Sequence, residues 1–287
     1  MNFGGIDAVE YTSFEDALFE VLPVPYDLTS TYQAGSRKGP AAIVEASSNM
    51  ELYDEELKRE TYRAGIYTRG ALEIEAGGPR EMIDRVRNET AGILKSGKIP
   101  VILGGEHSIS LGAVEAMKEQ YPNISVLHLD AHADMRDSYQ GTPYSHACVA
   151  RRISEICPIV QAGIRSMCSE EALFIERNNR DIISPSDFDS PDIIERICGN
   201  LTKDIYVTID LDVFDPSIMP ATGTPEPGGI LWKDLIHLLC RVSHSAVIRG
   251  FDVVELCPIP GLIAPDFTAA KLVYRIMGYI DRKNTNC

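Results

Sequence analysis

The chain has 287 residues, 44% hydrophobic and 24% charged, which suits a folded globular protein with a sizeable core and excludes a disordered or low-complexity chain. Its net charge of −15, from 27 basic and 42 acidic residues, argues against a nucleic-acid surface, which needs a basic face, and suits small cationic ligands. No apolar run approaches the ~20 residues that span a bilayer, and the start Met1-Asn-Phe-Gly-Gly-Ile-Asp lacks the pattern of a secretory signal, so no membrane partner is expected.

In chain order, Met82, Ile83, Val86, Ile93 and Leu94 keep helical spacing. Pro100-Val-Ile-Leu103 reads as a strand ending in Gly104-Gly105, and residues 124–129 as a second strand. Ile159-Val-Gln-Ala-Gly163 is a third, followed by a helical stretch over 170–177, and 205–209 is a fourth. A helix over 232–241 precedes a fifth strand, 246–254, and Leu272, Val273, Ile276, Met277 and Ile280 mark a last helix. Strands alternating with helices predict an α/β domain, a mainly parallel sheet covered on both faces. No repeat, low-complexity tract or long linker divides it, so residues 1–287 read as a single domain.

The seven cysteines (Cys148, Cys157, Cys168, Cys198, Cys240, Cys257 and Cys287) are odd in number and contain no Cys-x-x-Cys pair. They read as buried thiols of a reducing cytoplasm, not as a disulfide framework or a zinc site.

Two segments place acid and imidazole groups on alternating positions: Asp130-Ala-His132-Ala-Asp134 and Asp210-Leu-Asp212. Each follows a buried-strand pattern, and carboxylates at the tips of core strands are costly unless a cation neutralises them. In extended backbone i, i+2 and i+4 share a face, so Asp130, His132 and Asp134 would line one crevice, ~6–7 Å apart at a rise of ~3.3 Å per residue. That spacing suits two metal ions ~3.5–4 Å apart bridged by a carboxylate. Asp210 and Asp212 would form the opposite wall, and His107, after the 100–103 strand, adds a second imidazole. Four carboxylates with two imidazoles favour manganese over zinc, although metal availability also decides. His107, Asp130, Asp210 and Glu255 each follow a strand, where open parallel sheets bind their ligands.

Each motif alone has a plainer reading. Asp-x-His-x-Asp could be a solvated loop, and Asp-x-Asp a turn or helix cap. Together with Gly104-Gly105-Glu106-His107 those readings lose ground. His128, inside a strand, reads as a core histidine or one packed behind the ligands; His237 and His244 read as structural; Asp252, also inside a strand, as a buried hydrogen-bonding group.

The chain resembles the ureohydrolase family of arginases and agmatinases, and prokaryotic agmatinases most. The likeness rests on Leu-Gly-Gly-Glu-His-Ser (103–108), Leu-His-Leu-Asp-Ala-His-Ala-Asp (127–134), Thr-Ile-Asp-Leu-Asp-Val-Phe-Asp-Pro (208–216) running into 220–229, and the N-terminal Pro25-Tyr-Asp-Leu-Thr with Gly35-Ser-Arg-Lys-Gly-Pro40. It covers residues 20–282. The resemblance implies a three-layer αβα fold and two manganese ions per chain. His107, Asp130, Asp134 and Asp210 would hold one ion, and Asp130, His132, Asp210 and Asp212 the other. The reaction implied is hydrolysis of a guanidinium group to urea and an amine, by attack of a metal-bridging hydroxide. Asp134 would orient that hydroxide and pass its proton to the leaving amine, and Glu255 would pair with the guanidinium. His146, in Tyr144-Ser-His-Ala147, would exchange protons with solvent, a role suited to a side chain titrating near neutrality; without the family match it reads as a surface-loop histidine. A homotrimer or homohexamer is likewise implied by resemblance alone.

For the substrate, arginases present a Ser-Gly-Asn-type loop to the arginine carboxylate, whereas here the loop is Asp137-Ser-Tyr-Gln-Gly-Thr-Pro-Tyr-Ser-His146. Agmatine, giving urea and putrescine, is the expected substrate. After Glu255 the chain runs Leu-Cys-Pro-Ile-Pro-Gly-Leu-Ile-Ala-Pro265, a departure from relatives that keeps aminopropylagmatine and guanidinobutyrate open. Arginase activity, a metal-stabilised non-catalytic scaffold and, more distantly, a deacetylase of the same fold are the other readings.

Overall fold

Short β-branched runs can bury side chains on both faces only inside a covered parallel sheet. The computed structural model describes residues 1–281. Its strands are β1 (Phe19–Val24), β2 (Tyr53–Asp54), β3 (Arg59–Glu60), β4 (Ile66–Thr68), β5 (Ile99–Gly104), β6 (Ser125–Leu129), β7 (Ile159–Ala162), β8 (Ile182–Ile183), β9 (Asp204–Asp210) and β10 (Val247–Val254). Its α-helices are α1 (Gly39–Ser47), α2 (Pro79–Lys95), α3 (Ser110–Gln120), α4 (Val149–Ile153), α5 (Ser169–Arg177), α6 (Ile193–Asn200), α7 (Trp232–Ser245) and α8 (Ala264–Ile280). β2 and β3 form a small antiparallel hairpin; the other eight strands make one sheet in the order β4-β1-β5-β10-β9-β6-β7-β8. Every pairing in that sheet is parallel.

The strands alternate between two cores. Val21, Val101, Leu103, Leu127, Val207, Ile209, Phe251 and Val253 pack with Ile43 of α1, Leu235 and Leu239 of α7 and Leu272 and Ile276 of α8. Their neighbours Leu22, Ile102, Val126 and Tyr206 pack on the other side with Met82, Ile83 and Val86 of α2 and Val114 and Met117 of α3. Helices on both faces of one sheet make the three-layer αβα arrangement expected from the sequence. Among the described residues no helix is long and apolar enough to cross a membrane.

All five strands expected from the sequence are present, with ends shifted by a residue or two, and the helices at 232–241 and 272–280 extend to Trp232–Ser245 and Ala264–Ile280. The sheet also contains β1, β4 and β8. Pro23 and Glu20 interrupt the apolar pattern of β1, and both features argue against an inner strand. Glu20 is tolerated at 2% exposure because Arg69 Nε lies 3.3 Å from its Oε1. β4 and β8 are too short to carry a period.

The thiol expectation holds in part. Cys148, Cys157 and Cys257 are buried free thiols, Cys168 and Cys198 are free but partly exposed, and Cys240 is disulfide-bonded. Bridging depends on how closely two cysteines approach in space, which sequence spacing does not reveal. Cys287 lies outside the described residues.

The order of strands positions the site. β5 and β6 are consecutive in sequence yet lie on opposite sides of β10 and β9. Such a switch point opens a crevice at the carboxyl ends of the strands. In register, Val254 pairs with Asp210 and Leu129 with Ile209, so the residues leaving β5, β10, β9 and β6 emerge side by side. The exit from β5 needs glycine. A Cβ on Gly105 would sit 2.0 Å from the Tyr26 carbonyl oxygen, and that carbonyl accepts the Glu106 N–H at 2.7 Å.

Candidate active site

Six predicted metal-binding side chains meet where these four strands end. Asp130 follows β6, Asp210 is the last residue of β9, and Asp212 sits in the 3-10 turn Leu211–Val213. His107 opens the 3-10 turn that leads into α3. Its Nδ1 lies 3.0 Å from Asp130 Oδ2, 3.4 Å from Asp210 Oδ2 and 3.6 Å from Asp134 Oδ2. Across Asp130, His132 Nδ1 is 3.6 Å from Asp130 Oδ1 and 2.9 Å from Asp212 Oδ2. Asp130 thus lies between two clusters, one around His107 and Asp134 and one around His132 and Asp212.

The local backbone departs from the extended run expected for 130–134. Asp134 has φ of +50°, and Asp210 to Val213 turns instead of running straight. The convergence comes from backbone amides gripping carboxylates. His132 N–H donates to Asp130 Oδ1 at 2.6 Å, Asp212 N–H to Asp210 Oδ1 at 2.9 Å, and Ala131 N–H to Asp212 Oδ1 at 3.0 Å. Met135 N–H, just after Asp134, donates to the buried Glu171 at 2.8 Å.

The donor set fits a pair of metal cations. Asp130, Asp134, Asp210 and Asp212 are all buried, and His107 Nδ1 faces the cluster without a hydrogen-bond partner. Burial, then the charge of neighbouring carboxylates, raises the carboxyl groups of Asp134 and Asp210 well above the usual range and pushes Asp212 upward as well. Burial also opposes charge on Asp130, but the imidazoles of His107, His132 and His128 crowded around it win and hold it well below that range. Such a cluster is neutralised by protons or by metal, and an unpartnered lone pair aimed into it favours metal.

Hydrogen bonding decides which nitrogens can ligate. Thr208 Oγ1 gives its proton to Asp252 Oδ1 at 2.6 Å, so it accepts from His107 Nε2 at 2.8 Å. That leaves the His107 Nδ1 lone pair for a metal. His128 is the opposite case. Its ring stacks on that of His107 at 4.9 Å, and its Nε2 lies 3.3 Å from Asp130 Oδ2. Gln161 Nε2 donates to the Ala133 carbonyl at 2.8 Å, which fixes the amide orientation and turns its second N–H toward His128 Nδ1 at 3.2 Å. His128 therefore carries its proton on Nε2 and cannot ligate there; burial pushes it down to about 3, so it stays neutral behind Asp130. Asp252, which also accepts from Tyr206 at 2.8 Å, is the buried hydrogen-bonding group expected from the sequence.

A cleft opens above the cluster, lined by His132, Asp134, Tyr139, His146, Asp210 and Glu255 among others. Glu255 leaves β10 with φ of +65°. Its N–H donates to the Gly105 carbonyl at 2.7 Å and its Oε1 accepts from His107 N–H at 2.8 Å. Burial, then the charge of Glu106, pushes the Glu255 carboxyl up to about 8. His146 begins a 3-10 turn, with the Tyr139 ring edge-on at 6.1 Å, and is a cleft residue rather than a free surface-loop histidine. Burial pushes it down to about 4. His237 and His244 lie in α7, away from this cleft, and His244 Nδ1 is 2.8 Å from the Cys240 carbonyl oxygen.

Sequence reasoning did not single out Glu106, Thr29, Glu171, Thr208 or Glu226. Glu106, Thr29, Thr208 and Glu226 all lie inside the motif stretches, where their neighbours drew attention. Glu171 lies in a helix with no local signal; its two oxygens hold Met135 N–H and Cys168 N–H. Glu226 Oε1 accepts from Ser166 at 2.9 Å and lies 3.9 Å from His132 Nε2.

Residues 17–278 match the model of the Arginase family. The chain is 38% identical over 283 residues to the N(1)-aminopropylagmatine ureohydrolase of Synechocystis sp., covering 96% of this chain and 92% of that protein. It is 34% identical over 251 residues to the agmatinase of Bacillus subtilis, covering 86% of each. Its fold is similar to the crystal structure of the agmatine ureohydrolase of Thermoplasma volcanium, with a TM-score of 0.88, 32% identity and coverage of 98% of this chain and 94% of that one.

Proposed function

The chain belongs to the arginase family, whose members are binuclear metal hydrolases, and from that premise we propose that it hydrolyses agmatine to urea and putrescine with two manganese ions. One observation carries the reading: two carboxylate–imidazole clusters sharing Asp130 lie beneath a cleft that also holds a separate, half-buried carboxylate, Glu255. His107, Asp130, Asp134 and Asp210 would hold one ion, and Asp130, His132, Asp210 and Asp212 the other. Bound there, the cations supply Lewis-acid charge and a water acidic enough to react near neutral pH. The oxygen-rich donor set supports manganese.

The protein's own groups do the rest. Glu255 pairs with the planar guanidinium, whose charge offsets the burial that raises this carboxyl. Asp134 accepts a hydrogen bond from the attacking water and delivers a proton to the leaving amine. His146, neutral and on the cleft wall, would take the other proton, the one water loses on becoming the nucleophile, and release it to solvent. Glu171 and Glu255, the cleft carboxylates left once the metal-holding aspartates are counted out, against the single Arg136, support a cationic substrate, and the 137–146 loop without a Ser-Gly-Asn sequence supports agmatine over arginine. We also take residues 1–287 as one ureohydrolase domain, cytoplasmic in keeping with the five free thiols among the described residues and assembled as a trimer or hexamer in keeping with exposed Leu262, Ile263 and Phe267.

Aminopropylagmatine is the second reading. It is favoured by four relatives of that name at 37–39% identity, and by a groove lined by Cys257, Pro258, Ile259 and Pro260 that shares Tyr32, Gln33 and Gly223 with the cleft. Steady-state urea release from agmatine, aminopropylagmatine, arginine and guanidinobutyrate, with manganese added, separates them. Agmatine should give the highest kcat/KM; the highest value for aminopropylagmatine selects the second reading, and for arginine overturns both. No hydrolysis of any guanidine with both sites loaded would end the hydrolase assignment.

A further inference from the structure

Two residues of the sequence motifs have no part in that chemistry, yet they meet behind His146. Glu106 is wholly buried, and three donors converge on its carboxylate. Thr29 N–H reaches Oε2 at 2.5 Å, Thr29 Oγ1–H reaches Oε1 at 2.7 Å, and Ser108 Oγ–H reaches Oε1 at 2.5 Å. Three donors on two oxygens make Glu106 the acceptor throughout, so the single hydroxyl proton of Thr29 is committed to it. Thr29 Oγ1 then has only lone pairs to offer His146, and it takes two bonds from that residue. His146 N–H donates to it at 3.0 Å, and His146 Nδ1 lies 3.1 Å away. Since Thr29 has no proton left to give, Nδ1 must carry one. Ser145 Oγ is also near Nδ1, at 3.3 Å, and keeps its own proton because it only accepts from Ala147 N–H; but a bare Nδ1 would set its lone pair against those of Thr29 Oγ1 at the shorter 3.1 Å, so the protonated Nδ1 satisfies both contacts.

We propose that Glu106 and Thr29 act as a positioning pair that sets the tautomer of His146, holding its proton on Nδ1 and leaving Nε2 as the basic nitrogen. Free imidazole has no such imposed preference, so the pair converts a side chain with two interchangeable nitrogens into a base with one defined acceptor. Its catalytic meaning rests on the role proposed above for His146; the tautomer itself does not.

The test therefore reads both. In full-length protein labelled with 15N-histidine and loaded with magnesium, which is diamagnetic, the His146 nitrogens are identified by their loss in His146→Asn. Above neutral pH the wild type should show a protonated Nδ1 and a bare Nε2. Glu106→Gln keeps the shape but places an amide N–H against Thr29 Oγ1, which frees the Thr29 proton for His146 Nδ1 and should move the ring proton to Nε2. Thr29→Val removes the acceptor and should give mixed tautomers. In kinetics, both variants should lose roughly 10–100-fold in kcat, part of the ~10²–10⁴ typical of general acid–base catalysis, with KM for the best guanidine changed less than about threefold. Thr29→Ser should restore both readouts. An Nε2–H tautomer in the wild type, or a tautomer unchanged in Glu106→Gln and Thr29→Val, overturns the inference whatever the activity. A wild type that hydrolyses no guanidine overturns the functional reading while the spectra still decide the tautomer. If Thr29→Val fails to fold, Glu106→Gln and Thr29→Ser carry the test.

Discussion

Two histidines at this site are held in the same way, by a threonine that passes its hydroxyl proton to a buried carboxylate. Asp252 and Thr208 stand behind His107, and Glu106 and Thr29 behind His146. In the first chain the free nitrogen faces a cluster of buried carboxylates; in the second the histidine lines an open cleft. The hydrogen-bond logic is shared and the outcome is not. On the proposed reading, carboxylates around the exposed lone pair would make it a metal ligand, and solvent beside it would leave the same lone pair to take and release protons. The environment at the far end of the ring, rather than the support behind it, separates the roles.

The largest way to break this comparison is to remove the carboxylate common to both clusters. Asp130→Asn should abolish measurable hydrolysis, a loss of at least about 10³-fold against the ~10–100-fold that supporting partners cost, and elemental analysis should find both ions reduced. Two ions retained per chain would refute the bridging position. Next, Thr208→Val should weaken manganese binding ~10–100-fold in a metal titration, whereas Thr29→Val should leave it within about threefold, because only Thr208 supports a ligand. Equal losses in the two variants would mean that the supports are not separable.

A smaller effect concerns protons. Burial and mutual repulsion raise Asp134, Asp210 and Asp212, so cations must displace protons from them. A raised carboxyl is protonated over more of the acid range, so manganese affinity should fall as pH is lowered and binding should release protons. Calorimetry in two buffers of different ionisation enthalpy measures that release, and an affinity that does not change with pH would contradict it.

The strand-end placement of His107, Asp130, Asp210 and Glu255 was legible in the sequence because apolar runs and the acids that end them are local patterns. So were the two ligand segments. Their geometry was not. The alternation at 130–134 suggested an extended segment, but Asp134 turns at φ of +50°, which depends on the amide grip of Glu171 from a helix far along the chain. Thr208 and Thr29 escaped notice for a related reason. A hydroxyl inside a motif gains meaning only from the carboxylate and imidazole on either side, and these come from other strands and loops. β1 was hidden because Glu20 and Pro23 break its pattern, and the Arg69 that makes Glu20 tolerable follows another strand.

Asp134 and Glu255 share one further property: both are non-glycine residues held in left-handed backbone, next to the chemistry proposed for them. Left-handed geometry costs an L-residue ~1–2 kcal/mol, which glycine largely avoids. Glu255→Gly should therefore melt at a higher temperature than the parent in chelator if relief of that strain outweighs the lost bond from His107 N–H, while losing hydrolysis. A lower melting temperature would show that it does not. A higher melting temperature would place a more stable inactive neighbour one substitution away, toward which selection for thermal robustness alone would drift.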